Sequence, residues 1–196
     1  MSQTIVLKTE HLILRHWCDA DLIPFAQLNR DPRVMERMPS MLTREQSDAM
    51  ANRIRKDFEE HGFGLYAVER PGIAPFIGFV GFAIPRFEAA FTPCVEIGWR
   101  LAADHWGQGL ATEGAQAVLE AGFTRFGLDE VVSFTTPGNW RSIRVMEKIG
   151  LMRNPADDFE HPTLPKGHHL SLHVLYRLTK AQWEHQAAGF DPTNRA

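Results

Sequence analysis

The sequence has 196 residues, a formal net charge of −3 at pH 7 and 44% hydrophobic residues, which suits a single domain spanning residues 1–196 with a substantial core. It contains no run of roughly 20 apolar residues that would span a membrane, no basic run typical of nucleic-acid binding, and no apolar signal stretch in the opening M-S-Q-T-I-V-L-K. Two cysteines, Cys18 and Cys94, are too few for a disulfide framework, so we expect a cytoplasmic protein. Because basic and long apolar runs are missing, we expect no nucleic-acid or membrane partner.

The first half of the chain alternates strand and helix signals. Residues 7–16 are predicted to form an opening strand, and a short helix follows over about residues 19–29. Thr43 and Gln46 match a capping box, which predicts a second helix running to about residue 61. Three further strands are predicted, over residues 64–69, 76–84 and 92–101.

The second half interleaves helices with strands. The pattern predicts a helix over residues 109–126, a strand over 131–136, a helix from Asn139 to Gly150, a loop over 154–166, a strand over 171–178 and a last helix from Thr179. Helices that alternate with a largely meandering sheet indicate an α/β fold.

A glycine-rich turn joins the strand predicted over residues 92–101 to the helix predicted over residues 109–126. Gly107, Gln108 and Gly109 lie between the strand and the helix, so backbone N–H groups and the helix dipole would face an approaching ligand. Such a junction binds phosphate, although two glycines also suffice for a tight connection. The Gly-Lys-Ser/Thr of an ATP-binding loop is absent, which disfavours ATP.

Three motifs carry a resemblance to a known family. V-E-I-G-W-R-L at residues 95–101, W-G-Q-G-L-A-T-E at 106–113 and N-x-x-S-x-x-x-x-E-K-x-G from Asn139 to Gly150 occur in this order. Together they resemble the GCN5-related N-acetyltransferase (GNAT) superfamily, and within it the RimJ/RimL-type ribosomal-protein N-acetyltransferases. The resemblance covers nearly the whole chain. It implies a mixed α+β fold with a mostly antiparallel sheet, flanked by helices and splayed where acetyl-CoA inserts.

The resemblance also implies the activity. The protein would transfer the acetyl group of acetyl-CoA directly to a primary amine, on a peptide N-terminus or a small molecule, in a ternary complex. A non-catalytic CoA-binding regulatory module is the alternative. It would keep the glycine turn and lack a usable base.

Cofactor contacts are expected at three places. The turn and the helix start can hold a pyrophosphate through backbone N–H groups, and the preceding strand edge can bond the pantetheine amides. The resemblance adds Asn139 and Ser142 as contacts of the pantetheine arm and its ends, although Asn139 also suits a helix N-cap. The expected cofactor-binding residues are Ile97, Gly98, Trp99, Gly107, Gln108, Gly109, Leu110, Ala111, Thr112, Asn139 and Ser142.

Acyl transfer to an amine needs a base, a donor to the thioester oxygen and an acid for the leaving thiolate. Glu96 is the candidate base, because burial on an apolar strand would raise its pKa; the alternative is an ion pair with a neighbouring arginine. The backbone N–H of Ile97 or Gly98 is the candidate donor. Tyr176 is the candidate acid, because a phenol is protonated at neutral pH, and Tyr66 is not excluded.

Two further chemistries are considered and disfavoured. An acyl-enzyme on Cys94 would need an activating neighbour, and the sequence offers none beside it. His169 and His173 are four apart on a predicted strand and would share a face, with His161 and His168 nearby. These histidines span a proline-rich loop without a cysteine, so we expect no metal, and a histidine is instead a candidate second base.

The resemblance assigns the acceptor to residues 29–42 and to the loop over residues 157–169. Met35, Met38 and Met41 offer an adaptable apolar surface there, with Arg33, Glu36 and Arg37 interspersed. These residues do not identify the amine.

Overall fold

A computed structural model describes residues 6–188, without the side chain of residue 187; residues 1–5 and 189–196 of the predicted domain lie outside the described part. The strands are β1 (Leu7–Lys8), β2 (Ile13–Arg15), β3 (Leu65–Arg70), β4 (Ala74–Ala83), β5 (Glu96–Leu101), β6 (Glu130–Thr135), β7 (Met152–Arg153), β8 (Phe159–Glu160) and β9 (Leu172–Thr179). The helices are α1 (Leu22–Leu28), α2 (Pro32–Met35), α3 (Arg44–His61), α4 (Leu110–Thr124), α5 (Trp140–Lys148) and α6 (Lys180–Ala188).

The strands form one sheet in the order β1-β2-β3-β4-β5-β6-β9-β7, with β8 paired to β9. Every pairing is antiparallel except that of β5 with β6, where Glu96 pairs with Val132 in parallel. Glu96 and Val132 are the only paired positions between these two strands, so β5 and β6 separate immediately beyond them. The predicted mixed, mostly antiparallel sheet is therefore confirmed, and it opens in its middle.

Helices cover both faces of the sheet. Helix α4 lies on one face, where the glycines of its inner side pack against β4: a Cβ on Gly114 would be 3.4 Å from Val80, and one on Gly122 would be 2.6 Å from Phe82. Helix α1 covers the opposite face, with the ring of Phe25 centred 6.1 Å from that of Phe79. Among the described residues, no helix is both long and apolar enough to cross a membrane.

Local signals set the helix ends as predicted. Thr43 and Gln46 form the capping box of α3, and Gly62 ends that helix with φ 75°. Asn139 caps α5 by accepting from the Ser142 N–H, so the predicted start of this helix is also confirmed.

Three predicted boundaries differ from the structure. The opening strand is broken, because residues 9–12 turn and let β1 pair back on β2. The strand predicted over residues 92–101 begins only at Glu96, and Thr92 instead belongs to a turn in which its N–H donates to the Ala89 carbonyl. The loop predicted over residues 154–166 contains β8, which has no alternating pattern of its own and exists only because β9 pairs with it.

Candidate active site

A cavity of about 700 Å³ lies where the sheet opens. Its walls are α2 with the segment after it, the end of β5, the glycine turn with the start of α4, and the first turns of α5. The sequence-predicted cofactor residues that line it are Trp99, Gly107, Gly109, Leu110, Ala111, Thr112, Asn139 and Ser142. Ile97, Gly98 and Gln108 are not among the lining residues.

The glycine turn has the geometry of an anion site. Gly107 and Gly109 adopt positive φ angles of 73° and 80°, which side-chain-bearing residues rarely take. Gly109 is the N-cap of α4 and supplies no side-chain hydrogen bond, so the first N–H groups of this 15-residue helix have no side-chain cap. A Cβ on either glycine would meet no atom within 4 Å. The turn is therefore an open cradle of backbone donors.

Trp106 and Gln108 support this cradle from two sides. The Trp106 indole donates to the Leu101 carbonyl at 2.8 Å, and the Arg141 guanidinium lies 4.6 Å from the indole centroid. The Gln108 side chain points away from the cavity, where its Oε1 accepts from Arg70 at 2.8 Å. The backbone N–H of Gln108 can therefore bind a ligand, while its side chain is hydrogen-bonded to Arg70 of β3.

The cavity is basic, a feature that the predicted site residues do not include. Six cationic side chains line it, and the one lining carboxylate is that of Glu36; the six are Arg33, Arg37, Arg100, Arg141, Arg144 and Lys148. Arg33 is ion-paired with Asp31 and Asp104, and Arg37 with Glu36. The three on α5 have i, i+3, i+7 spacing and so share a face, a signal that the sequence did contain. Within residues 6–188, no carboxylate lies within 4.0 Å of those three. Such a surface favours a polyanionic ligand.

Arg37 and Arg100 connect the α2 segment to the rest of the cavity. The Arg37 guanidinium reaches the far wall, where a Cβ on Gly138 would be 3.1 Å from its Nη1. Arg100 donates to Asn29 Oδ1 at 2.6 Å, and its buried Nε has no partner. Burial without a carboxylate lowers the pKa of Arg100 to about 10.

Asn139 and Ser142 are tied to each other at the head of α5. Asn139 Nδ2 donates to Thr135 Oγ1 at 2.8 Å and to Ser142 Oγ at 3.1 Å. The capping role of Asn139 is thus confirmed, and its place in the cavity lining leaves it beside any ligand there.

Glu96 lies at the closed end of the opening in the sheet. It shares a face of β5 with Gly98, and a Cβ on Gly98 would be 3.9 Å from Glu96 Oε1. Within residues 6–188 its carboxyl has no ion-pair or hydrogen-bond partner, so the alternative of a pair with a neighbouring arginine is not met. Burial raises the pKa of Glu96 to about 8. The group can therefore both hold and release a proton near neutral pH.

Tyr176 lies on the other face of the sheet from Glu96. It pairs with Ser133, whereas the adjacent Arg177 pairs with Val132, the partner of Glu96. The Tyr176 hydroxyl donates to Glu147 Oε1 at 3.3 Å and does not line the cavity. Burial and Glu147 raise the pKa of Tyr176. The structure thus places the two predicted catalytic side chains on opposite faces.

The remaining candidates are less suited to chemistry. Tyr66 is fully buried, and burial raises its pKa to about 12. Burial, with a smaller effect of Glu96, raises the pKa of Cys94 to about 11, which disfavours a nucleophilic thiolate.

The four histidines do not converge on one point in the structure. His169 lies in a turn before β9, so the prediction that it shares a strand face with His173 is wrong. His173 instead packs against His161 in a tilted arrangement, with ring centroids 5.0 Å apart. In the described part of the chain, three potential ligand atoms converge only at Asp57, Glu60 and His61, an acidic surface group at the end of α3.

The chain is similar to known proteins in sequence and in fold. A family model described as an acetyltransferase (GNAT) domain matches residues 11–152. The uncharacterized protein YkkB of Bacillus subtilis is 32% identical over 152 residues, 77% of this chain and 87% of that protein. A GNAT-family acetyltransferase from Bacillus anthracis superposes with a TM-score of 0.73 at 25% identity, over 90% of this chain and 99% of that one. RimL, a ribosomal L7/L12 α-N-protein acetyltransferase solved with coenzyme A, has the same fold, with a TM-score of 0.71 at 14% identity over 89% of this chain and 98% of that one.

Proposed function

The chain belongs to the acetyltransferase (GNAT) family and is an acetyl-CoA-dependent acyltransferase, and we propose that it acetylates a primary amine directly, in a ternary complex. The acceptor would be a peptide N-terminus, as the likeness to RimJ/RimL-type enzymes favours, or a small-molecule amine. The observation that carries the proposal is the open glycine cradle in a cavity lined by six cations. The cytoplasm remains the proposed location, because Cys18 and Cys94 are both free thiols.

The cavity fits coenzyme A, whose pyrophosphate and third phosphate make it a polyanion. The N–H groups of Gly109 and the first turn of α4 would hold the pyrophosphate, and the helix dipole favours its charge. Arg141, Arg144 and Lys148 would neutralise the remaining charge from the opposite wall. The backbone of Trp99, beyond the last paired residues of β5 and β6, would bond the pantetheine arm.

The chemistry requires the amine to lose a proton as it attacks. Acetyl-CoA, when bound, supplies the acetyl group as a thioester. Glu96 would accept the amine proton, directly or through water, while the nitrogen–carbon bond forms and the carbon–sulfur bond breaks. The CoA thiolate that leaves would take its proton from the Tyr176 phenol. An approaching ammonium favours the ionised form of Glu96, so the substrate itself would bring the base into its active state. The oxyanion donor predicted at Ile97 or Gly98 stays a prediction; Gly98 pairs with Gly81 of β4.

One assay tests the proposal as a whole. Release of free thiol from acetyl-CoA is measured against a panel of peptide N-termini, polyamines, amino acids and arylalkylamines. We expect turnover with at least one class of primary amine. A rise in melting temperature with CoA but no turnover across the panel would favour the non-catalytic CoA-binding module. Absence of any CoA-induced shift would contradict both.

Tyr176→Phe tests the proposed acid. We expect kcat to fall by roughly 10²-fold, the lower end for loss of a positioned acid, with the KM for acetyl-CoA unchanged. Glu147→Gln is the matched control, because it changes the partner of the phenol and keeps the phenol itself. Parental turnover in Tyr176→Phe would show that Tyr176 is not the acid, and that solvent protonates the thiolate.

Metal removal should leave the activity intact, since the proposed chemistry uses only the carboxyl, the phenol and backbone donors. We expect equal turnover before and after dialysis against EDTA. Loss of turnover that zinc restores would contradict this expectation and would favour a metal site that includes the histidines.

A further inference from the structure

Six half-buried rings lie together on the face of the sheet that carries Glu96. We call them the ring cluster: Phe87, Phe91, Phe134, Phe159, His161 and His173. They come from the β4–β5 connection, β6, β8 with the residue after it, and β9. None of the six belongs to the continuous hydrophobic core, and each keeps part of its surface exposed.

The rings contact one another closely. Phe134 lies at the centre, with ring centroids 5.8 Å from Phe87, 5.5 Å from Phe159 and 6.0 Å from His173. Phe91 packs on Phe159 at 4.7 Å. Most of these pairs are edge-to-face or tilted, the arrangement that aromatic rings prefer. The cluster is therefore an ordered apolar surface.

The register places this surface next to the proposed base. Val132 pairs with Glu96, and Phe134 follows two residues later on the same side of β6. Two residues along a strand span about 6.6 Å. Beyond the paired residues the strands separate, so Phe134 lies across the opening from Gly98. An amine that reaches Glu96 on this face has its attached group beside the Phe134 ring.

The charges around the cluster suit a cationic amine. Arg177, whose guanidinium lies 5.8 Å from the Phe91 ring, is neutralised by Glu130 at 2.9 Å and Asp157 at 3.1 Å. Burial lowers the pKa of both His161 and His173, so these rings are neutral at pH 7 and do not repel an ammonium. Aromatic faces attract cations, and the Glu96 carboxyl supplies the one ionisable acid on β5.

From this placement we infer that the acceptor is a primary amine with an aromatic ring two or three carbon atoms from the nitrogen, and that the ring cluster binds that aromatic group. The inference rests on the proposed acetyl transfer and deepens it. Two sources share this chemistry: a free arylalkylamine, and a peptide whose first residue is aromatic. Phe134 is about 6.6 Å further along β6 than Val132, the partner of Glu96, and this offset sets the spacer length.

The test compares matched amines as acceptors. Phenethylamine is set against propylamine, and the peptide Phe-Gly-Gly against Ala-Gly-Gly, with thiol release as the readout. We expect kcat/KM to favour the aromatic member by on the order of tenfold or more in at least one pair, because a phenyl group fills an apolar site that a methyl leaves empty. The pair that shows the preference identifies the source.

Variants assign the preference to the cluster. Phe134→Leu and Phe159→Leu keep an apolar side chain and remove the ring, so we expect the aromatic-to-aliphatic ratio to fall two- to tenfold, mainly through KM of the aromatic amine. Phe126→Leu is the control, since Phe126 is half-buried in a ring pair with Phe63 outside the cluster. A general loss of stability would lower kcat/KM for both amines alike and leave the ratio unchanged.

Two results would overturn the inference while leaving acetyl transfer in place. One is turnover of amines with equal kcat/KM for the aromatic and aliphatic members of both pairs. The other is a preference that survives unchanged in both cluster variants. Failure of every amine would instead count against the proposed function itself.

Discussion

Gly109→Glu is expected to abolish acetyl-CoA binding, and with it all turnover. Gly109 holds φ 80° at the N-cap of α4, a conformation that glutamate adopts only with strain. No atom lies within 4 Å of the added Cβ, so the new side chain would enter the open cradle where the pyrophosphate is proposed to bind. Its carboxylate would repel phosphate at the position where the helix favours an anion. Calorimetric titration with CoA measures the loss.

Gly127→Glu is the matched control for this variant. Gly127 also has a positive φ, 67°, with no atom within 4 Å of an added Cβ, and it lies beyond the opposite end of α4. Both variants carry the same backbone strain and the same charge. We expect Gly127→Glu to bind CoA as the parent does. Parental CoA affinity in Gly109→Glu would show that the cradle does not hold the cofactor.

Glu96→Gln is expected to lower turnover at pH 7 by roughly 10²- to 10⁴-fold, the usual loss on removing a positioned general base. The amide keeps the shape of the side chain, so CoA affinity should not change. Raising the pH should partly restore the rate, because more of the amine is then already deprotonated. Glu59→Gln, which changes an exposed carboxylate on α3, is the control.

The pH profile distinguishes a base from a merely structural carboxyl. Burial raises the pKa of Glu96 to about 8, so kcat/KM of the parent should rise with pH up to about that value. In Glu96→Gln this acidic limb should move, because it would then follow deprotonation of the amine instead of this carboxyl. A variant that keeps most of its activity together with an unchanged limb would exclude Glu96, and His161 or His173 would become the next candidate.

Stability supplies an independent reading of the same pKa. The folded-state pKa of about 8 exceeds the ordinary value of 4.5, so the folded protein holds this proton more tightly than the unfolded chain. The stabilising contribution is complete below pH 4.5 and is lost as the pH rises towards 8. The Tm of Glu96→Gln minus the Tm of the parent should therefore increase as the pH is raised from 5 to 8. A difference in Tm that stays the same across this pH range would show that Glu96 is not desolvated.

The sequence by itself determined the features that depend on neighbours along the chain. The capping box of Thr43 and Gln46, the cap at Asn139 and the positive-φ glycines of the turn each involve residues within about four positions. Such interactions form wherever the local backbone is kept, so the residues themselves predict them. The prediction that Glu96 is the base has the same local origin, a charge on an otherwise apolar strand.

The tertiary structure alone decided which distant groups meet. Phe134 and Phe159 lie 25 residues apart in sequence, and the pairing of β6 and β8 with β9 brings their rings together. The same pairing puts Tyr176 on the face opposite Glu96, because adjacent residues of a strand point to opposite sides. The basic cavity likewise joins α2, β5 and α5, whose charges have no sequence relation. Sheet register and helix placement are set by the summed burial of the core, which no short segment contains.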